Sequence, residues 1–140
     1  MRALIRAWWP PTSWAFVIFV VTTWRLPYRL IRTDQPFDKV VHFSLYAVLG
    51  YLVTRALRVS GHATLLAAGL GLLGTLSFAA LDEIHQFWVP TRAPMLDDWV
   101  ADALGLALGT GVGVAVMLVA AHTSGPATPA ASTAPDDTSP

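Results

Sequence analysis

The 140-residue chain has the length of one domain. Its 54% hydrophobic and 13% charged residues, with a mean hydropathy of +0.53, exclude an ordinary soluble domain, in which about a quarter of the residues are charged. A formal net charge of zero leaves no overall field to draw nucleic acid or an acidic substrate, and the absence of cysteine excludes disulfides, thiolate metal ligands and cysteine nucleophiles. The composition is that of an integral membrane protein, with the lipid bilayer as its first partner.

A spanning helix needs roughly 20 mostly apolar residues, because the hydrocarbon core is about 30 Å thick and each residue rises about 1.5 Å. The first candidate runs from about Pro11 to Trp24, where Pro10 and Pro11 interrupt the approach and Trp8, Trp9, Trp14 and Trp24 suit the headgroup level. Arg2 and Arg6 precede it as in a secretory signal, but Trp24-Arg25-Leu26-Pro27 is a poor cleavage site, so an uncleaved helix is expected, with Arg25 snorkelling. The second runs from about Asp38 to Leu57 and is closed by Arg55 and Arg58. The third is free of charge from Ala63 to Leu81 and continues through Asp82-Glu83-Ile84-His85-Gln86-Phe87-Trp88. The fourth starts near Asp97 and is free of charge from Ala103 to Ala121. The expected fold is all-α, an integral membrane four-helix bundle over residues 1–122. Residues 123–140, rich in Ala, Thr, Ser, Pro and Asp, are expected to be a disordered tail. Gly105 and Gly109 stand four apart, as close helix packing in lipid requires, and packing within the bundle is favoured over a homo-oligomer.

Four crossings place the loop between helices one and two and the loop between helices three and four on the same side. Asp38, Lys39 and His42 at the start of helix two, Asp82, Glu83, His85 and Gln86 at the end of helix three, and Arg92, Asp97, Asp98 and Asp102 around the start of helix four therefore share one membrane face. Asp38 and His42 are four apart, as are Asp82 and Gln86, and Asp98 and Asp102, so each pair occupies one side of its helix. Charges near hydrocarbon are costly and call for partners. Lys39, Arg92, His42 and His85 are the candidates.

The order and spacing of Asp38-Lys39-Val40-Val41-His42, Asp82-Glu83-Ile84-His85-Gln86, and Arg92, Asp98 and Asp102 followed by Gly105 and Gly109, resemble the VanZ-like family. That family is named for a bacterial membrane protein associated with resistance to the glycopeptide teicoplanin. The resemblance covers about Phe37 to Gly109 and implies a four-helix membrane fold. It also implies a site built from Asp38, Lys39, His42, Asp82, Glu83, Gln86, Arg92, Asp98 and Asp102, the last where many members carry Asn.

Several uses of these residues stand open. Asp38, His42, Asp82, Glu83 and Asp98 are the candidate catalytic groups. Lys39, Gln86, Arg92 and Asp102 are the candidate ligand-binding groups, with Lys39 and Arg92 suited to a phosphate or carboxylate. The carboxylates suit a hard divalent cation, and histidine a transition metal, but no known metal-ligand spacing such as His-Glu-x-x-His occurs, so the cofactor is left unassigned. Plainer readings make His42 a partner of Asp38 or a helix cap, His62 and His122 solvated groups, Phe87, Trp88 and Trp99 interface anchors, and the layer an ion-pair network. The expected function is binding or modification of a lipid-linked or peptidoglycan-related envelope molecule, with altered glycopeptide sensitivity. The alternatives are a metal-dependent enzyme acting on a phosphorylated lipid, and a non-catalytic assembly or transport subunit. Arginine balance favours a multi-pass plasma-membrane protein with a cytoplasmic N-terminus and an outward-facing site.

Overall fold

The computed structural model describes residues 1–23, 35–89 and 95–123. Among them lie four helices and no strand: α1 (Arg2–Thr23), α2 (Gln35–Val59), α3 (Thr64–Gln86) and α4 (Leu96–Thr123). All four are long and apolar enough to cross a membrane. Arg25, Arg92 and positions 124–140 lie outside the described residues, whereas Thr123 is the last residue of α4.

Helix α1 begins nine residues before the expected start, with Pro10 and Pro11 inside it. Each proline removes one N–H donor from the helical ladder. Membrane helices tolerate this, because neighbouring helices and Ser or Thr side chains re-satisfy the freed groups. In the following turn Thr12 Oγ1 donates to Trp8 O at 2.8 Å and Ser13 Oγ to Pro10 O at 3.0 Å, side-chain bonds next to the carbonyls of Arg6 and Ala7 that the prolines leave without a helical donor. Helices α2 and α3 are joined by a tight turn at Gly61, whose φ of 99° is one that glycine adopts without strain.

Helix α2 is central and packs against the other three, while α1 and α4 make no packing contact among the described residues. The α2–α4 seam is the closest, for a reason already visible in the residues. A methyl group on Gly50 would come 2.6 Å from Leu106 O, and methyl groups on Gly105 and Gly109 would overlap the carbonyl oxygens of Phe43 and Ala47. Hydrogen at these positions lets the two backbones touch. Gly69, Gly74 and Gly111 meet nothing, and so take no part in that seam. The buried apolar cluster is Ile18, Tyr46, Leu49, Ala79 and Leu106, whereas Phe16, Leu65, Leu73 and Leu118 point outward. An apolar exterior around a small core suits hydrocarbon as the solvent. Trp8 Nε1 donates to Ser60 Oγ at 3.0 Å and Trp14 Nε1 to Leu45 O at 2.8 Å, fixing α1 against the end and the middle of α2.

Candidate functional site

The antiparallel order of the helices gathers the end of α1, the start of α2, the end of α3 and the start of α4 at one face. Most of the polar residues there are withdrawn from the surface: His42, Asp82, Glu83, Gln86, Asp98 and Asp102 are all buried. Buried polar groups require partners, and most of these have them.

Lys39 Nζ donates to Asp98 Oδ1 at 2.6 Å, joining α2 to α4. The lysine side chain keeps 26% exposure and the aspartate 4%, so the pair sits at the mouth of the site with its charge on the outer side. One turn further along α2, His42 Nδ1 lies 2.9 Å from Asp102 Oδ1. The predicted alternative, a bond from His42 to Asp38, gives way to this cross-helix pair. An ionised Asp102 only accepts, which places the ring proton on Nδ1 and leaves Nε2 of a neutral imidazole as an acceptor or metal ligand. Asp38, His42 and Asp98 each present one ligand atom within 4.8 Å of the others. Histidine whose second nitrogen is held by a carboxylate is the usual arrangement around a protein-bound metal.

Asp82 is bonded differently. Thr22 Oγ1 donates to its Oδ1 at 2.9 Å and Tyr46 OH to its Oδ2 at 3.1 Å, so both of its oxygens tie α3 to α1 and α2. Glu83 Oε1 accepts the N–H of Met95, and Gln86 Nε2 donates to Glu83 Oε2 at 3.3 Å, which docks the end of α3 on the residue preceding α4. Met95 O in turn accepts from the N–H groups of Asp98 and Trp99 at 3.0 and 3.3 Å. His85 stands apart from these groups and stacks on Phe19, with ring centroids 5.0 Å apart. His62 is half-buried at the turn on the opposite face, and His122 is exposed.

Thus Asp38, Lys39, His42, Asp98 and Asp102 form one group on α2 and α4, and Asp82, Glu83 and Gln86 line the α3 side. The family model described as VanZ/LLP1 matches residues 4–118. The chain belongs to the VanZ/LLP1 family. No curated protein and no solved structure matches it. For a VanZ/LLP1 chain, the matched span takes in α2, α3 and most of α1 and α4, and reaches beyond the Phe37 to Gly109 segment that carries the resemblance in sequence.

Two members of the layer escape a reading of the sequence. Tyr46 is detectable in principle, since it follows His42 by four residues and so continues the Asp38–His42 side of α2. Thr22 carries no such signal, being one of several hydroxyl residues in an apolar helix.

Proposed function

We propose that this VanZ/LLP1 chain binds and modifies the polar head of a lipid-linked, envelope-related molecule, and that Asp38, His42 and Asp98 would hold a divalent cation for it. One observation carries the reading: Asp38, His42 and Asp98 lie within mutual ligand distance, and His42 is back-bonded to Asp102. Among the described residues, the carboxylates Asp38, Asp82, Glu83, Asp97, Asp98 and Asp102 outnumber Lys39 and His42 at this face, an excess of hard oxygen donors that suits a divalent cation. Carboxylate oxygens and one imidazole suit a transition ion such as Mn²⁺. Held by Asp38, His42 and Asp98, such an ion would supply polarisation of a phosphoryl oxygen and a more acidic water. Lys39, a quarter exposed at the mouth of the site, is placed to meet a phosphate oxygen once a cation takes its place on Asp98. Acting on an envelope precursor outside the cell would change sensitivity to glycopeptide antibiotics, as the family resemblance implies.

The test is metal content and phosphate release on the purified protein in nanodiscs, with a polyprenyl pyrophosphate as substrate. Wild type is expected to bind one equivalent of Mn²⁺, and His42→Ala and Asp98→Asn to lose it together with activity. Full binding and turnover by chelator-treated protein would sink the reading.

A second reading makes the layer structural, and a different observation favours it. Asp82, Glu83, Asp98 and Asp102 all have protein partners, which stitch the four helices together. It expects every one of these substitutions to lower stability and none to change metal content.

A further inference from the structure

A groove of about 700 Å³ opens between the end of α3 and the start of α4, a size typical of ligand clefts. Its walls are Ala80 and Ile84 of α3, Phe87 just beyond it, and Met95, Leu96 and Trp99 at the start of α4. Among the described residues, the one ionisable group in its lining is Glu83, whose carboxylate belongs to the polar layer through Met95 and Gln86. The groove therefore meets the polar layer at Glu83, and its other described lining residues are apolar. That is the division of an amphiphile, with a charged head and a hydrocarbon tail.

Resting on the function proposed above, the geometry points to this groove as the seat of the hydrocarbon chain of the phosphorylated lipid, of prenyl type, whose head lies at Asp38, His42 and Asp98. Two features favour that occupant over bulk lipid or a second copy of the chain. First, the groove is a recess lined from both α3 and α4, whereas Leu65, Leu73 and Leu118 are singly exposed side chains outside it. Second, its contact with the site is made by Glu83, which also fixes Met95, so head and tail subsites are aligned by one side chain. Phe87 and Trp88, mostly exposed and edge-to-face with centroids 5.9 Å apart, form the lip on the α3 side.

The experiment compares binding of isopentenyl pyrophosphate and farnesyl pyrophosphate, with Mn²⁺ present, to wild type, to Ala80→Phe in the groove wall and to Leu104→Phe on the exposed face of α4. The expected result is a farnesyl advantage of about tenfold or more, equivalent to about 1.4 kcal/mol, in wild type and Leu104→Phe. In Ala80→Phe that advantage is lost while isopentenyl pyrophosphate binds as before. An advantage that survives Ala80→Phe overturns the tail groove and leaves the head site standing. Failure of both probes to bind any variant overturns the head site, and the groove with it. Should Ala80→Phe not fold, a farnesyl analogue with a diazirine at the far end of its chain gives the answer on wild type. Adducts on Ile84, Phe87 or Trp99 support the assignment, whereas adducts confined to Leu104 and its neighbours, or crosslinks only between copies of the chain, overturn it.

Discussion

His42 and Lys39 hold equivalent positions toward α4: each is an α2 residue that reaches an aspartate close to 60 positions away in the chain, at 2.9 and 2.6 Å. Their environments differ, and so do the expected costs of removing them. Lys39→Met leaves Asp98, whose side chain is 4% exposed, without its cation. Loss of one partner of a buried pair costs about 3 to 5 kcal/mol, and the partial exposure of Lys39 brings the expected value to about 1 to 3 kcal/mol. Thermal unfolding in detergent measures it. If the acidic cluster takes a divalent cation, millimolar Mn²⁺ will restore much of the lost Tm in Lys39→Met, since binding to the folded state alone stabilises by mass action. It will restore none in Lys39→Met/Asp98→Leu. Asp82 makes the complementary case. Both of its oxygens receive hydroxyl protons; Asp82→Leu strands the buried Tyr46 hydroxyl, while Thr22 Oγ1 still has Ile18 O and Phe19 O within reach, so the expected cost is about 1 to 3 kcal/mol. Asp82→Asn keeps one acceptor and costs less. The difference in Tm between the two substitutions tests whether these hydrogen bonds, and not the charge, hold α3 to α1 and α2.

At the scale of the helix, the α2–α4 seam positions the site, because it carries the Lys39–Asp98 and His42–Asp102 pairs at its end. Gly105 and Gly109 admit no side chain without overlapping backbone oxygens of α2. Gly109→Ala is therefore expected to push the helices apart, at a cost of about 1 to 3 kcal/mol or more, and to weaken metal binding although no ligand is altered. Gly74→Ala, where a methyl meets nothing, is the control and should leave Tm and metal content unchanged. This contrast separates what is readable along the chain from what is not. The spacing of Gly105 and Gly109 marks a packing face, and the structure bears that out. Gly69, Gly71 and Gly74 look much the same in sequence, yet only Gly71 has neighbours within 4 Å, among them Leu57 and Thr54. A glycine records permission for close approach, whereas a neighbouring helix decides whether the permission is used.

For the whole molecule, the open matter is which side of the membrane carries the polar layer. The absence of cysteine makes single-cysteine labelling direct. Asp97 is exposed at the layer, and Ala63 is exposed at the turn on the opposite face. With a membrane-impermeant thiol reagent on intact cells, Asp97→Cys is expected to label and Ala63→Cys to stay unlabelled until the cells are opened, as an outward-facing site requires. The reverse pattern would place the site in the cytoplasm and remove direct action on the outer face.

The amino-acid sequence determined the membrane class, the four helices and the face on which the acidic and basic residues assemble, because hydrocarbon thickness sets helix length and an even number of crossings sets sidedness. It also carried the family, through three motifs whose order and spacing survive in the linear chain. Helix ends were less legible. The start of α1 at Arg2 lies before two prolines that in water would argue for a boundary, and the lipid setting changes that balance. Only the tertiary structure decided the pairings: His42 with Asp102 and not Asp38, Lys39 with Asp98, Asp82 with Thr22 and Tyr46. Periodicity places two groups on one side of a helix, but a hydrogen bond needs two helices brought to within about 3 Å. That distance is set by the glycine seam and the packed core.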